Sequence, residues 1–414
     1  MTIPHKTIFL NRFFYPDYSA TSQMLTELAF DLAAQGETLH VVTSRQCYEN
    51  PSARLPSQEE INGVTIHRIW TSRFGRRFLW GRAMDYLTFY LSLAPTLLRL
   101  VNKGDLVVAM TDPPMISLVA AWVVRIKKAL LINWIQDLFP EVAQALEMRG
   151  MHGLPAKWLR QWRNRSLIAA NINVVLGHGM ARKLHAEGVA SNQISIIHNW
   201  SDGTKINAVP PAANPLRQEW GLVDRFVVGY SGNMGRAHEF ETLLAAAQLL
   251  KTQPKISFLF IGGGAKRQTV LNETKRLGLD NIHFQPYQPT ERLAESLSVA
   301  DVHWISLLPA MEGLIVPSKF YGSAAVGRPI LFVGDPAGEI ASLLQQFQCG
   351  YSIMPGDAQQ LAERIAQLAT DDALRQQMGA QARHMLEERF DRSLAVQAWQ
   401  TVLQEQRNRM PFGQ

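Results

Sequence analysis

The sequence predicts an α/β protein built from two tandem, doubly wound Rossmann-like domains, each with a parallel sheet covered by helices. Short apolar runs alternate with segments of helical periodicity in both halves of the chain. The length of 414 residues suits about two to three domains. An uncharged, proline-rich segment at residues 207–215 separates the two alternating series and is interpreted as the linker.

In the first half, residues 22–35 and 115–127 show the apolar spacing of helices. Gly36 follows the first of these segments, where a C-cap is expected. Short apolar runs around them predict buried strands, and strands separated by helices imply a parallel sheet. The predicted strands are residues 7–10, 39–43, 64–69, 105–110, 130–135, 172–176 and 194–198.

The second half repeats this alternation. A helix is expected from about residue 240 to 250, and residues 358–405 look largely helical. The predicted strands are residues 226–230, 256–261, 299–306 and 329–333. Open parallel sheets bind ligands beyond the carboxyl ends of their strands. The chemistry is therefore expected in the loops after strands, in a cleft between two facing domains.

The composition excludes several classes of protein. With 47% apolar and 18% charged residues, the chain is neither disordered nor fibrous. Its two cysteines, Cys47 and Cys349, are too few and too far apart for a disulfide framework or a cysteine-based zinc module, and they fit a reducing compartment. No apolar stretch reaches the roughly 20 residues of a membrane span, and the start shows no secretory leader. A cytosolic protein is expected.

The charge is unevenly distributed. Residues 1–205 contain 22 Lys and Arg against 15 Asp and Glu, whereas residues 206–414 contain 19 against 20. The basic excess of the whole chain, 41 against 35, therefore belongs to the first half. It is read either as a solvated basic surface or as a face for an anionic partner such as acidic lipid, pyrophosphate or nucleic acid.

Two glycine-containing loops follow predicted strands of the second half. In the first, Gly232 and Gly235 let a ligand approach the backbone, and Arg236 offers a guanidinium suited to phosphate oxygens. The second, residues 262–266, has three consecutive glycines and a lysine. It is no P-loop, and the dinucleotide fingerprint fails because Arg267 takes the place of the third glycine. Phosphate binding and plain tight turns both remain compatible with these loops.

The segment 311–329 carries further candidate residues. Pro317 suits the first turn of a helix, and Ser318 and Lys319 would then project from an anion-friendly N-terminus. Glu312 lies in the preceding loop, either holding sugar hydroxyls or exposed to solvent.

In the first half, Asp137 follows a predicted strand. It is interpreted as a group that orients or deprotonates an acceptor hydroxyl, or as a helix N-cap. Asn199 similarly follows the last strand of that half, and it either binds a ligand or caps a turn.

Two clusters mix basic and aromatic side chains. Such a mixture suits a membrane interface, single-stranded nucleic acid, or amphipathic helices that bury their aromatic side. Two clusters in one basic half favour the membrane interpretation. The first comprises Trp70, Arg73, Phe74, Arg76, Arg77, Phe78, Trp80 and Arg82, and the second Lys157, Trp158, Arg160, Trp162, Arg163 and Arg165.

The order and spacing of several motifs resemble the family-4 retaining glycosyltransferases, which have the GT-B fold of two facing Rossmann-like domains. Within that family the chain is similar to enzymes of bacterial exopolysaccharide clusters, such as the colanic-acid fucosyltransferase type. The motifs are QDLFPE at 136–141, IHNWSD at 197–202, YSGNMGR at 230–236, the segment 261–264, Ala300-Asp301, and VPSKFYGSAAVGRP at 316–329.

The resemblance implies transfer of a sugar from a GDP- or UDP-linked donor with retention, and no metal or other cofactor. It implies an acceptor domain at 1–205, a donor domain at 206–385, and helices at 386–414 that return to the first domain. The implied acceptor is a saccharide on a polyprenyl diphosphate, so the enzyme would associate peripherally with the anionic inner membrane surface. Nucleic acid is not an implied partner.

The resemblance also suggests roles for individual residues. Arg236 and Lys319 would neutralise the diphosphate leaving group, Glu312 would be the family's first glutamate, and Asp137 would lie near the reacting carbon. The remaining implied donor contacts are Gly232, Asn233, Gly235, Gly263, Gly264, Pro317 and Ser318, and the implied acceptor-side residues are Tyr18, Ser19 and Asn199.

The chain departs from the family pattern in three places. Gly322 occupies the position of the second glutamate. Asn233 and His238 stand where the first glycine loop usually has Arg and Lys. Residues 15–22 replace the usual Gly-Gly of the first domain.

Three other functions are alternatives to glycosyl transfer. A nucleotide-sugar 2-epimerase would share the scaffold but need no acceptor. An NAD-dependent oxidoreductase lacks support because the dinucleotide fingerprint is absent. A non-catalytic protein that binds membrane or nucleic acid is suggested by the basic first half alone.

Overall fold

The computed structural model describes residues 5–47, 55–75, 79–148, 150–151 and 153–409. The chain divides into two compact units: the first extends to His198 and includes the residues from Val396 onward, and the second is Asn199–Ala395. The predicted first boundary, at 205/206, lies seven residues later in the chain. The predicted C-terminal segment begins at 386, ten residues before the chain returns to the first unit.

The first unit contains an eight-stranded sheet in the order β3-β4-β2-β1-β5-β6-β7-β8. Only the β3–β4 pair is antiparallel among these described strands. The strands are β1 (Thr7–Leu10), β2 (Leu39–Ser44), β3 (Gln58–Ile61), β4 (Val64–Ile69), β5 (Leu106–Ala109), β6 (Leu130–Ile135), β7 (Ile172–Val175) and β8 (Ile194–Ile196).

Helices cover this sheet because burying an apolar side against it removes that side from water. In the core, Phe89, Leu93 and Leu97 of the second helix meet Val123 of the third. The helices are α1 (Ala20–Ala34), α2 (Leu79–Leu100), α3 (Ile116–Lys127), α4 (Glu141–Ala145), α5 (Gly153–Ala169) and α6 (His178–Ala186).

The last helix of the chain, α15 (Arg392–Asn408), begins in the second unit and continues into the first. Within the first unit, the ring of Trp399 lies 4.8 Å from that of Trp134 and 6.3 Å from that of Phe9. Trp399 is fully buried, so it fixes the end of the chain against β1 and β6.

The second unit contains a six-stranded, wholly parallel sheet in the order β11-β10-β9-β12-β13-β14. Its strands are β9 (Phe226–Ser231), β10 (Ile256–Ile261), β11 (Ile282–Gln285), β12 (Val302–Ser306), β13 (Ile330–Val333) and β14 (Gly350–Ile353). Its helices are α7 (Pro215–Glu219), α8 (Glu241–Leu249), α9 (Arg267–Arg276), α10 (Leu293–Ser298), α11 (Lys319–Ala325), α12 (Glu339–Phe347), α13 (Ala358–Thr370) and α14 (Asp372–Met385).

The predicted fold class, two doubly wound α/β domains, is confirmed. The strands that the sequence missed are β3, β11 and β14, and each lies at a sheet edge. Edge strands are covered less completely, so their sequences lack the continuous apolar run of a central strand. In β3, for example, exposed residues alternate with half-buried ones.

A buried ion pair joins α7 to the amino ends of two central strands. One Nη atom of Arg217 lies 2.6 Å from Oδ2 of Asp301, and the same carboxylate oxygen accepts a hydrogen bond from the Val227 backbone N–H at 2.8 Å. Arg217 also donates to the carbonyl of Val299. Since both charged side chains are buried, loss of either one leaves an uncompensated charge.

We expect Asp301→Ala to lower the free energy of unfolding by about 3–5 kcal/mol, because Arg217 would remain buried without its carboxylate. Urea denaturation of the purified protein measures this change. Asp372→Ala is the control, since Asp372 pairs with Arg375 at the surface and its loss should cost at most about 1 kcal/mol. Equal losses for the two variants would contradict the role given to Asp301.

Candidate functional site

The loops that follow β9, β10 and β12 meet at the carboxyl edge of the second sheet. The Met234 N–H donates to the carbonyl of Gly263 at 2.6 Å, and the Lys266 N–H donates to the carbonyl of Met234 at 2.9 Å. The Leu308 N–H donates to the carbonyl of Ala237 at 2.9 Å. Backbone bonds therefore hold the three loops in one arrangement at the edge where open parallel sheets bind ligands.

The glycines of the second loop allow the first two loops to pack backbone against backbone. A Cβ on Gly262 would lie 2.4 Å from the carbonyl oxygen of Gly232, and one on Gly264 would lie 2.3 Å from Oδ1 of Asn233. Both glycines also have φ near +125°, which L side chains rarely adopt. In this second loop, Gly263 and Gly264 are predicted to contact a donor. Gly264 also has a packing role, and Gly263 is half-buried beside the ring of Tyr287.

Gly232 makes room for the side chain of Lys319. A Cβ on Gly232 would lie 3.1 Å from Cε of Lys319 and 3.4 Å from its Cγ. The Lys319 Nζ also lies 5.0 Å from the centre of the Tyr230 ring, a cation–π contact. Gly232 and Lys319, each predicted separately to lie at the donor site, therefore come together, although 87 positions separate the two residues.

A histidine that the sequence analysis named only as a departure from the family pattern holds this lysine. Nζ of Lys319 lies 3.1 Å from Nε2 of His238, and Nδ1 of His238 lies 2.5 Å from the carbonyl oxygen of Ser306. The carbonyl can only accept, so Nδ1 carries the proton and Nε2 accepts from the ammonium group. We refer to Tyr230, Gly232, His238, Ser306 and Lys319 as the Lys319 cluster.

Burial sets the charge state of this cluster. It lowers the pKa of Lys319 to about 8. Burial, together with the nearby charge of Lys319, lowers the pKa of His238 to about 3, so the imidazole is neutral near pH 7. The cluster therefore presents one half-buried positive charge whose only side-chain hydrogen bond in the described structure is to a neutral acceptor.

Arg236 extends from the same loop as His238 and is exposed. Within the described residues, neither Arg236 nor Lys319 forms an ion pair with a carboxylate. Two cations without carboxylate partners at a ligand-binding edge suit an anion such as phosphate.

The neighbouring loop residues have mixed roles. Glu312 accepts a hydrogen bond at 3.0 Å from the Glu339 N–H, the first residue of α12, so it caps that helix. Pro317 is buried and Ser318 is exposed. The helix α11 begins at Lys319, two residues later than the predicted start at Pro317.

In the first unit, Asp137 follows β6 at the carboxyl edge of the sheet. It lines a cavity of about 30 Å³ together with Asn133 and Arg163, a volume that holds about one water molecule. Burial raises its pKa, while a hydrogen bond with the side chain of Thr111 acts in the opposite direction. The N-cap position of α4 is Pro140, so Asp137 does not have the alternative role of helix cap.

The remaining acceptor-side predictions fall in different places. Tyr18 is exposed, and Ser19 occupies the N-cap position of α1, where its N–H donates to Oδ1 of Asp17 at 2.8 Å. Asn199 begins the second unit, where it is buried and its backbone hydrogen-bonds with Tyr321. The described residues contain no group of three or more His, Cys, Asp or Glu side chains arranged to hold a metal.

Sequence reasoning missed the contributions of His238 and Ser306. The signal for His238 is its position in a glycine loop directly after a central strand. Ser306 ends the next strand of the sheet, and its Oγ donates to the carbonyl of Glu239 at 2.7 Å. Neighbouring strand ends converge at one edge, so the pairing could have been inferred once the strand order was known.

Two family models match the chain and divide it as the fold does. Residues 20–200 match the glycosyl transferase 4-like domain, and residues 214–385 match the glycosyl transferases group 1 domain. Both the Lys319 cluster and Arg236 lie inside the group 1 match, and Asp137 lies inside the 4-like match.

Two curated relatives align over most of the chain. The chain is 26% identical to the probable glycosyltransferase WbjE of Pseudomonas aeruginosa, over 77% of this chain and 78% of the relative. It is 23% identical to the putative colanic acid biosynthesis glycosyl transferase WcaI of Escherichia coli (strain K12), over 80% and 84% of the two chains.

Solved structures establish the fold as GT-B. The structure of Anabaena HepE in complex with UDP and glucose matches with a TM-score of 0.73 at 16% identity, covering 97% of this chain and all of that one. Sucrose-phosphate synthase from Thermosynechococcus elongatus matches with a TM-score of 0.76 at 17% identity, covering 97% and 99% of the two chains.

The close packing of the glycine loops leads to a test of stability. We expect Gly262→Ala to lower the free energy of unfolding by roughly 1–3 kcal/mol, since the new Cβ would collide with the Gly232 carbonyl at a positive φ. Gly235→Ala is the matched control, because its Cβ would meet nothing closer than 3.4 Å. Urea denaturation of both variants measures the difference, and equal losses would contradict the packing role.

Proposed function

We propose that this chain, a glycosyltransferase of group 1, transfers a sugar from a nucleoside diphosphate donor to a saccharide acceptor with retention of the anomeric configuration. The observation that carries the proposal is the Lys319 cluster beside Arg236. Together they provide two cations, at the carboxyl edge of a doubly wound sheet, that pair with no carboxylate among the described residues.

The chemical requirement for two cations comes from the leaving group. When the bond between the sugar and the diphosphate breaks, negative charge accumulates on the diphosphate oxygens. Cations already fixed in place stabilise that charge without reorganisation during the reaction. Lys319 is fixed by His238 and the Tyr230 ring, whereas the exposed Arg236 would adjust to the donor once it is bound.

The proposed donor is a GDP- or UDP-linked sugar. The solved structures of HepE include complexes with UDP and UDP-glucose, which supports a nucleoside diphosphate as the class of ligand. The glycosyltransferase group to which the second domain belongs supports retention. We propose that the reaction uses no metal and that the nucleotide sugar is a co-substrate rather than a cofactor.

The proposed acceptor is a saccharide carried on a polyprenyl diphosphate, in the biosynthesis of an exopolysaccharide or surface polysaccharide. The name of the relative WcaI, which refers to colanic acid biosynthesis, supports this class of product. Asp137 is the proposed acceptor-side group. Burial raises its pKa, as suits a carboxyl group that exchanges a proton with a hydroxyl.

Calorimetric titration with UDP, GDP and NAD tests the donor site. We expect one nucleoside diphosphate to bind, and both Arg236→Ala and Lys319→Ala to weaken its binding roughly tenfold to a hundredfold, the range for loss of a charge-assisted hydrogen bond. Lys275→Ala is the control, since Lys275 is exposed on α9.

Two outcomes would overturn the donor proposal: failure of the protein to bind either diphosphate, or binding that neither substitution changes. Conversion of the nucleotide sugar without an added acceptor would instead support the epimerase alternative.

The pKa of Lys319 predicts a pH dependence of donor binding. The ammonium form predominates below its pKa of about 8, and the terminal phosphate, with a second pKa of about 6, is largely ionised above about pH 7. The affinity for the diphosphate should therefore be constant from about pH 7 to about pH 8 and fall as the pH rises further. A bound anion raises this pKa, so in the complex the group loses its proton only at higher pH.

The dissociation constant measured from pH 6 to about pH 10 checks this prediction. Lys319→Arg is the control, because a guanidinium stays charged over that range and the decrease in affinity above pH 8 should disappear. The same decrease in Lys319→Arg as in the parent protein would assign the titration to another group.

A further inference from the structure

We infer that the first unit carries a docking face for an anionic lipid membrane, formed by the outward sides of α2, α3 and α5. This inference deepens the proposed function, because it assigns the surface at which the enzyme would meet a lipid-linked acceptor. Only the biological purpose of the face rests on the proposed function. The physical observation is a set of exposed apolar side chains on three neighbouring helices that also carry a large excess of basic residues.

The helix α2 has two apolar sides, and only one of them is buried. Phe89, Leu93 and Leu97 face the core of the unit. Trp80, Met84, Leu87 and Leu91 recur at the spacing of a second helical stripe, because about 3.6 residues complete a turn. This second stripe is open to solvent: Trp80 is 67% exposed and Leu91 is 66% exposed.

The other two helices show the same arrangement. In α3, Trp122 and Ile126 are one turn apart and both exposed, at 51% and 53%. In α5, Leu154, Trp158 and Trp162 follow one another at intervals of four residues and are all exposed. Apolar stripes on a helix normally face the protein interior, so exposed stripes on three helices indicate a partner that is missing from the isolated chain.

The three helices are neighbours. Both α2 and α5 pack against α3. Oγ of Ser117 in α3 lies 2.8 Å from Oγ of Ser166 in α5. Phe74 precedes α2 in the chain and is hydrogen-bonded to it: its N–H donates to Oδ1 of Asp85, and its ring is exposed. The stripes therefore belong to one side of the unit.

The charge of these helices complements an anionic lipid surface. Their sequences contain eight basic residues and a single acidic one, Asp85. Asp85 is buried and accepts hydrogen bonds from the Gly75 N–H and the Ser72 hydroxyl, so it adds no acidic site to the surface. The exposed basic residues of the three helices include Arg82, Arg99, Arg125, Lys157 and Arg165.

This surface corrects the second basic cluster in the sequence. Arg163 is buried and forms an ion pair with Glu141 at 2.5 Å, so it does not contribute to the face. Conversely, α3 contributes Trp122, which neither sequence cluster contained. Arg76, Arg77 and Phe78 of the first cluster lie outside the described residues.

The composition favours lipid over nucleic acid. Tryptophan rings suit the depth of lipid headgroups, and basic side chains suit anionic lipid phosphates. The aliphatic side chains Leu87, Leu91 and Leu154 can enter the acyl boundary, whereas stacking on nucleic acid bases requires aromatic or guanidinium groups. No helix among the described residues has both the length and the apolar character needed to span a bilayer. The inferred association is therefore interfacial.

Flotation of the full chain with lipid vesicles, in the absence of any substrate, tests the inference. We expect binding to vesicles of phosphatidylethanolamine and phosphatidylglycerol at low salt, and at least about tenfold weaker binding to phosphatidylcholine vesicles. Added salt should weaken the binding to the anionic vesicles.

Matched surface variants assign the binding to this face. Leu91→Ser and Trp122→Ala should each weaken vesicle binding about tenfold, whereas Leu249→Ser, at an exposed leucine of α8 in the second unit, should not change it. Lys157→Glu should weaken binding to anionic vesicles only, and Lys275→Glu in the second unit is its control. Unchanged thermal unfolding of each variant shows that its effect is not a loss of folding.

Four results would overturn the inference: no flotation of the parent chain with anionic vesicles at low salt, equal losses in Leu91→Ser and Leu249→Ser, tighter binding of single-stranded DNA than of anionic vesicles, or self-association through this face detected by light scattering. Nucleoside diphosphate binding is measured separately by calorimetry. If it persists while vesicle binding is absent, only the membrane inference fails; if vesicles bind and no diphosphate does, only the donor site fails.

Discussion

The close approach of two backbone loops determines what the second sheet can bind. Gly262 and Gly264 let the loop after β10 lie directly on the loop after β9, and Gly232 in turn leaves space for the stem of Lys319. A side chain at position 232 would crowd the stem of Lys319, because a Cβ there would lie 3.1 Å from its Cε. The position of the Lys319 charge therefore depends on glycines, which have no side chain, at 232, 262 and 264.

The first unit shows a different constraint. The helices α2 and α3 bury one apolar side in the core and expose a second, and α5 exposes an apolar stripe as well. Monomeric soluble proteins rarely expose a large apolar patch. The extra apolar side does not stabilise the isolated fold, because its side chains stay in water. Lipid-facing surfaces are costly in this way, and they occur where a partner removes them from water for part of the protein's working cycle.

Much of the fold could be predicted from the sequence. The bounds of β1, β6 and β10 match the predicted strands, because each is a run of residues that are nearly all buried. The edge strands were missed because a half-exposed strand has no such run. The apolar residues of the outward stripe of α2 are visible in the sequence. Their exposure could not be predicted, because periodicity alone does not say which of two apolar sides is buried.

The site was less predictable, because it depends on contacts between distant segments. Lys319 and Gly232 could each be predicted as candidate ligand-binding residues from their type and position. Their contact with each other could not be predicted. Gly264 is predicted to let a ligand approach, and in the structure it also admits a neighbouring loop, since the same residue type satisfies both requirements. Glu312 likewise caps α12, a role fixed by the helix that happens to begin beside it.

His238 and Lys319 are best understood as one coupled feature. The family that the sequence resembles usually has a lysine where this chain has His238, and two ammonium groups about 3 Å apart in a half-buried position would repel each other strongly. A neutral imidazole avoids that repulsion and accepts a hydrogen bond from the remaining lysine, while its other nitrogen is committed to the carbonyl of Ser306. Lys319 of α11 thereby supplies the positive charge, and His238 of the loop after β9 supplies the acceptor that orients the ammonium group. A substitution at either position changes what the other must be, so the two residues are expected to vary together.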